Sequence, residues 1–332
     1  MKILVYSSVF YPGIGGIENH SFFLVREFVK AGHEVKVITE QEQDPARPLE
    51  HVEVLKTPGF FTQLKMFFWC DVFYMPNITL KGAWLIAFNP WKKWVISHND
   101  FHLQYSNDLK TKLKWFLIRI ATKNIAVSKA VAAFLKYPSQ VIYNCYDDSV
   151  FRLYKEEQRT YDFVFVGRLV SQKGCELLID ACGKLDRPFT LNIIGDGFEM
   201  HKLQAKVEAL KLGHAIRFLG FRQNEELARL LNRHRIMIVP SMDVEGFGIV
   251  ALEGLACGCH MIVSNAGGLS EAVDGFGDIF RMGDEQQLTS LLRKAMEKPY
   301  EPIDQNAGLM SYLDDHSKKS VAAKYLEVFR TA

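Results

Sequence analysis

Two glutamates eight residues apart, Glu245 and Glu253, bracket the chemically richest stretch of the chain, Pro240 to Gly254. An apolar run ends at Val239, a short loop follows, and the pattern predicts a helix starting near Phe247. Gly246 and Gly248 let the backbone come close to a ligand. The first N–H groups of such a helix have no intrahelical partner and favour an anion. At a rise of about 1.5 Å per residue the two carboxylates stand roughly 12 Å apart, with the anion-binding helix start between them. That spacing suits a nucleotide sugar, with one acid on sugar hydroxyls, the other on ribose, and a diphosphate between. Taken alone, two such glutamates are more often a solvated loop acid and a helix cap; the flanking glycines favour the ligand.

A second cluster, Gly167-Arg168-Leu169-Val170-Ser171-Gln172-Lys173-Gly174, directly follows the apolar run Phe163–Val166. Arg168 can make a forked contact to phosphate oxygens and Lys173 is a mobile point charge, so the pair suits a diphosphate. A third, Tyr11 to His20, carries Gly15 and Gly16 ahead of Glu18, Asn19 and His20. It fails the dinucleotide fingerprint because Glu18 stands where a third glycine is required. It reads as a backbone anion cradle or a plain turn. Ser97-His98-Asn99-Asp100-Phe101-His102 closes an apolar run, so His98 is a substrate contact or a structural histidine. His98 and His102 have metal-pair spacing but no third ligand. There is no D-x-D, no G-x-x-x-x-G-K-[ST] and no G-x-S-x-G. The expectation is no metal and no cofactor.

Short apolar runs alternate with segments of helical period along the whole chain. Ile3–Tyr6, Val35–Thr39, Val72–Tyr74, Trp94–Ser97, Asn124–Val127 and Gln140–Tyr143 form one series. Phe163–Gly167, Phe189–Ile194, Ile216–Leu219, Ile236–Val239, His260–Val263 and Asp278–Phe280 form the next. Unbroken apolar runs mark strands buried on both faces, hence parallel sheets flanked by helices and an α/β doubly wound fold. At 332 residues two domains are expected. The polar stretch at about 148–161 reads as the linker, giving domains 1–147 and 148–315, with a last helix at about 316–332 packing back on the first. Two open sheets in series each offer a crevice at the carboxyl ends of their strands, one per substrate. The six cysteines, in no C-x-x-C pair, read as reduced thiols of a cytoplasmic protein. No signal peptide precedes the first run, and no apolar stretch reaches the roughly 20 residues of a membrane span.

With those residues in place, nearly the whole chain resembles the retaining glycosyltransferases of family 4, which have the GT-B fold of two Rossmann-like domains facing a central cleft. Glu245 to Glu253 resembles the family's E-x7-E motif, Gly167-Arg168-Leu169 with Lys173-Gly174 its phosphate loop, and Gly15-Gly16-Ile17-Glu18 its amino-terminal glycine loop. Val127-Ser128-Lys129-Ala130 and Ile142-Tyr143-Asn144 are similar to its approach to the linker. Gly195-Asp196-Gly197 and Phe218-Leu219-Gly220-Phe221 resemble turns lining its base and ribose pocket. The resemblance implies metal-independent transfer of a hexosyl group from a nucleotide sugar with retention. It implies that Arg168, Lys173 and the N–H groups after Gly246, through Phe247, Ile249 and Val250, hold the diphosphate. Glu253 would bind ribose, Glu245 the donor sugar, and His98 would lie at the reaction centre. Glu18, Asn19, His20 and His102 fall on the acceptor side. His260, Asp243-Val244 and Cys145-Tyr146 depart from the usual pattern and blur base and sugar identity. A UDP-sugar is the default and GDP-mannose the alternative. A nucleotide-sugar epimerase or hydrolase of similar fold, and a non-catalytic nucleotide-sugar-binding protein, are the competing readings.

Charge adds a partner. The net is only +2, which argues against a nucleic-acid binder, yet residues 1–145 carry 17 Lys+Arg against 11 Asp+Glu. Residues 56–136 hold 12 basic residues and only Asp71, Asp100 and Asp108 as acids, interleaved with aromatics. That pattern suits an anionic membrane surface and a glycan or lipid-linked acceptor, or else core aromatics beneath a solvated lysine face.

Overall fold

The computed structural model describes residues 1–11, 13, 15–42, 49–101, 103, 108–297 and 306–332. The chain divides into two compact units, Met1–Cys145 with His316–Ala332, and Tyr146–Asp315.

The first unit is a seven-stranded sheet of β1 (Lys2–Ser7), β2 (Glu34–Thr39), β3 (Val52–Lys56), β4 (Val72–Pro76), β5 (Lys93–His98), β6 (Lys123–Ala126) and β7 (Gln140–Val141). Its order is β3-β2-β1-β4-β5-β6-β7, every pair parallel. β1 shows why the run is apolar throughout. Ile3 and Val5 enter one core layer while Leu4 and Tyr6 enter the other. Burying each such side chain stabilises the fold by roughly 1.5–3 kcal/mol. β3 has no counterpart among the expected strands: Val52-Glu53-Val54-Leu55-Lys56 is an edge strand with no fully buried residue, so it lacks the continuous apolar signal.

The helix Lys318–Thr331 belongs to this unit. Ser317 caps it, its hydroxyl accepting from Ser320 N, and Val321, Tyr325 and Phe329 are buried in the sheet's core. Phe329 meets Phe28 of the helix Gly16–Lys30 edge to face at 5.4 Å.

The second unit is a six-stranded sheet of β8 (Tyr161–Val166), β9 (Leu191–Ile194), β10 (Ile216–Gly220), β11 (His234–Val239), β12 (His260–Ser264) and β13 (Gly277–Phe280). Its order is β10-β9-β8-β11-β12-β13, again all parallel. The order reverses between β8 and β11, which opens a crevice at their carboxyl ends. The segment read as the linker is folded onto this unit. Phe151 and Tyr154 are buried, Tyr154 N donates to Asn232 Oδ1 at 2.8 Å, and the Arg159 guanidinium donates to the His234 and Cys257 carbonyls. A few apolar anchors among many charges gave no periodicity to read. All six cysteines are buried and free. Among the described residues no helix is long and apolar enough to cross a membrane.

Candidate functional site

The loops after β8 and β11 meet over the point where the second sheet's strand order reverses. Lys173 ends a 3-10 turn, Ser171–Lys173, in the loop that follows β8. Its Nζ donates to Glu245 Oε1 at 2.6 Å, and Ser241 Oγ donates to the same oxygen at 2.7 Å. The Ser241 carbonyl in turn accepts from Ser264 Oγ at 2.8 Å, so a side chain from β12 steadies the loop after β11. The two loops also join through their backbones, Met242 N donating to the Gln172 carbonyl at 2.8 Å. Neither Ser241 nor Ser264, both fully buried, was given a role of its own from the sequence.

Glu245 lies outside the helix. The helix runs Ile249–Ala256 with Gly248 as its cap at φ +100°, two residues later than periodicity predicts. Glu245 is held instead by a bridge to Gly267, with Gly268 N donating to its carbonyl at 2.8 Å. A regular helical rise therefore does not set the distance from Glu245 to Glu253. Phe247 is 2% exposed and packs inward, so its backbone is what it can offer a ligand. Gly246 shows no left-handed backbone; Gly248 does.

Glu253 sits in the second turn of this helix. Burial, helped by the negative charge of Asp147, pushes its carboxyl up to about 8. A carboxyl so displaced is largely proton-bearing at neutral pH, where it donates one O–H and accepts at its carbonyl oxygen; on losing that proton it becomes a charged acceptor only, which binds hydroxyls more strongly.

The turns after β8, β9 and β10 are stitched to one another. Gly167 N donates to the Ile194 carbonyl at 3.0 Å, Leu169 N to Asp196 at 2.8 Å, and Gly195 N to Gly220 at 3.0 Å. Glycine is required for this approach. A Cβ at Gly195, whose φ is +145°, would lie 1.9 Å from the Gly167 carbonyl oxygen. A Cβ at Gly197 would lie 2.4 Å from that of Leu169, and one at Gly174 1.9 Å from that of Pro240. Arg168 projects from this rim as an exposed side chain, and Phe221, 45% exposed, follows β10. The structure thus gathers Arg168, Lys173, Gly167, Gly195, Gly197, Phe221, Glu245 and the helix start at the carboxyl end of one sheet.

In the first unit, Gly15 caps the helix Gly16–Lys30. The Glu18 carboxylate folds back over it, so that a Cβ at Gly15 would lie 2.3 Å from Glu18 Oε2. The anion at this helix start is therefore the helix's own side chain, where it interacts favourably with the dipole. Asn19 is exposed. His20, expected on the acceptor side, is fully buried between Tyr325 and Cys145, with ring nitrogens 3.4 Å from the Tyr325 hydroxyl and the Cys145 thiol. Burial lowers it to about 3, so it is a neutral core histidine fastening the helix Lys318–Thr331 rather than a substrate contact. His98 ends β5 at 2% exposure. Because the Asn124 amide nitrogen donates to the Ile118 carbonyl, its oxygen faces His98 and accepts from Nε2–H at 2.9 Å. His102 lies outside the described residues.

Residues 149–309 match the family described as glycosyl transferases group 1. An uncharacterised glycosyltransferase of Methanocaldococcus jannaschii is 34% identical over 210 residues, 60% of this chain and 56% of that protein, so the chain spans about half the length of this relative. Among solved structures, Anabaena HepE in complex with UDP superposes with a TM-score of 0.85 at 20% identity over the whole of both chains. The HepE complex with UDP-glucose gives 0.81 at 19%, again over both whole chains. Sucrose-phosphate synthase of Thermosynechococcus elongatus gives 0.80 at 18%, covering 100% of this chain and 99% of that one. These likenesses establish the GT-B fold. With the two doubly wound sheets in place, the second unit of this chain is similar, over residues 149–309, to the glycosyl transferases group 1 family.

Proposed function

We propose that the protein transfers a hexosyl group from a nucleotide sugar, a UDP-sugar first among them, to a glycan or lipid-linked acceptor, with retention and without a metal. The observation that carries this is Lys173 held between the loops after β8 and β11, 2.6 Å from Glu245 and beside a helix start. An ammonium has three N–H donors. One engages Glu245, leaving two for the oxygens of a diphosphate on the switch-point crevice. Arg168 on the same rim supplies a second, forked cation. As the glycosidic bond breaks, negative charge grows on the β-phosphate, and donors already fixed there stabilise it without reorganising.

Glu245, pinned by Ser241 and Lys173, is placed to accept donor-sugar hydroxyls, and Glu253 those of ribose. Phe221 offers an exposed ring for the base. The acceptor hydroxyl passes its proton to the leaving phosphate, so no second carboxylate is needed as base. HepE crystallises with UDP and UDP-glucose, which supports a uridine donor here. GDP-mannose is the alternative donor. A lipid-linked acceptor in surface polysaccharide or glycolipid synthesis would be met at the inner face of a membrane.

Titration calorimetry with a panel of UDP- and GDP-sugars tests the donor, followed by turnover of the tightest binder with and without acceptors. A uridine sugar bound in the micromolar range and consumed only with an acceptor is expected. Consumption without any acceptor would reassign the site to hydrolysis or epimerisation, and binding with no turnover across the acceptor panel would leave a binding protein.

A further inference from the structure

The helix Leu109–Ile120 has two apolar faces. Thr111 and Ile118 are buried, Ile118 in the core cluster that holds Phe73, Trp94 and Ile96 of the first sheet. Yet Leu109, Leu113, Phe116 and Ile120 are 81%, 46%, 54% and 47% exposed. Their spacing of four, three and four residues aligns them in one narrow strip along the outer face, the periodicity that normally points a helix at its core. At 100° per residue, Lys112 and Arg119 run along one edge of the strip and Lys110 along the other, all exposed.

A second helix of the same layer repeats the pattern. Phe60–Trp69 buries Met66 and Phe67 in the core cluster that also takes Ile118, so both helices cover one face of the sheet. Its outer side presents Phe61 at 82% and Phe68 at 55% exposure, with Lys65 between them at helical spacing. Single exposed apolar residues are ordinary, but aligned apolar residues accompanied by cations on two helices of one layer are not.

We propose that this layer of the first unit docks on an anionic lipid surface, the strip around Leu113 and Phe116 entering the acyl boundary and the cations meeting headgroup phosphates. Charge selects this partner. Residues 56–136 carry 12 basic residues against three acids. Lys56 and Lys81 are neutralised by Glu42 and Glu40, but among the described residues no carboxylate pairs with Lys110, Lys112 or Arg119. An apolar strip with cationic edges matches the headgroup boundary of a bilayer, where each Lys or Arg adds attraction that salt screens. Among the described residues no helix is long and apolar enough to cross a membrane, and the proposed contact is one with the surface. The inference draws its purpose from the lipid-linked acceptor proposed above, but the binding itself is read without any sugar transfer.

The test is flotation of the full chain with vesicles of neutral phospholipid alone and of neutral and anionic phospholipid mixed equally. Binding is expected to the mixed vesicles only, weakening as salt rises. Lys112→Gln with Arg119→Gln should weaken it about fivefold per charge. Leu113→Ser with Phe116→Ser should weaken it about tenfold or more. All four side chains are exposed, so the melting temperature of each double variant should match wild type, which separates lost docking from lost folding. No flotation at low salt, or binding that both double variants retain in full, overturns the proposal. A lipid-free dimer that the Leu113→Ser, Phe116→Ser variant dissolves would assign the strip to a second copy of the chain instead.

Discussion

Lys173 Nζ and Ser241 Oγ converge on one oxygen, Oε1 of Glu245, at 2.6 and 2.7 Å. The three side chains come from the loops after two strands that are neighbours in the sheet but far apart in sequence. Each therefore reports on the same crevice. Lys173→Ala should lower kcat/KM about 10²–10³-fold, the loss typical of removing a fixed donor at a developing oxyanion, and Glu245→Ala should lower it as well, by removing the acceptor that fixes Lys173 and the sugar hydroxyls. Because the partners are coupled, the double variant should lose far less than the product of the two. Steady-state kinetics on the three proteins checks this. Near-wild-type turnover in both single variants would remove the pair from the mechanism.

The glycine at 195 is a packing requirement. Gly195→Ala places a methyl group 1.9 Å from a backbone oxygen at φ +145°, so neither side-chain rotation nor local relaxation relieves it. The expected cost is at least about 3 kcal/mol, read as a lowered urea midpoint. Gly213→Ala, with nothing within 4 Å of the new Cβ, is the control and should leave the midpoint nearly unchanged.

Glu253 gives stability a pH dependence with a defined sign. Its carboxyl is raised from 4.5 to about 8 by burial and by Asp147. Below pH 4.5 it is protonated in both folded and unfolded chains. Between 4.5 and about 8 the folded chain holds the proton that the unfolded chain has lost, so stability falls as pH rises through this window. Glu253→Gln should therefore be more stable than wild type at pH 8, by on the order of 2–3 kcal/mol, with the gap closing toward pH 4.5. The same proton predicts donor binding that strengthens with pH up to about 8 and depends on buffer ionisation heat in calorimetry. Donor affinity flat from pH 6 to 9 would separate Glu253 from ribose.

His20 acts at the other end of the scale. Its ring is lowered from 6.5 to about 3, so only the unfolded chain takes up a proton as pH falls from 6.5. Stability is lost progressively down to about pH 3 and is fully present above 6.5. His20→Leu should flatten this acid limb while costing stability at pH 7 through the lost Tyr325 and Cys145 contacts. Denaturant midpoints at pH 7 and pH 5 decide it: an unchanged difference between the two would show that His20 is not the titrating group.

The sequence made the interior strands legible because both faces of β1, β4, β8 and β11 are buried, leaving unbroken apolar runs. β3 escaped notice because an edge strand alternates, and Glu53 and Lys56 broke the run. Glu245, Lys173 and the glycines of their loops were visible as types and spacings. Ser241 and Ser264 were not, since a serine matters here only through which loop it lies under. His20 misled for the complementary reason. A histidine one turn into a helix after a glycine loop looks solvent-facing until the helix Lys318–Thr331 is placed over it. That contact spans 305 residues of sequence, and no local pattern carries it.

The same helix sets an order on biosynthesis. Tyr146–Asp315 is one continuous stretch, so the second unit can close as soon as it has been made. The first unit cannot, although its strands emerge earlier, because Tyr325 and Phe329 complete its core. Until residues 316–332 leave the ribosome, a nascent chain holds a finished second unit behind an amino-terminal sheet whose core still lacks Val321, Tyr325 and Phe329. Such a sheet is a natural client for chaperones. A fragment stopped at residue 315 should accordingly resist limited proteolysis across 146–297 and be cut within 1–145.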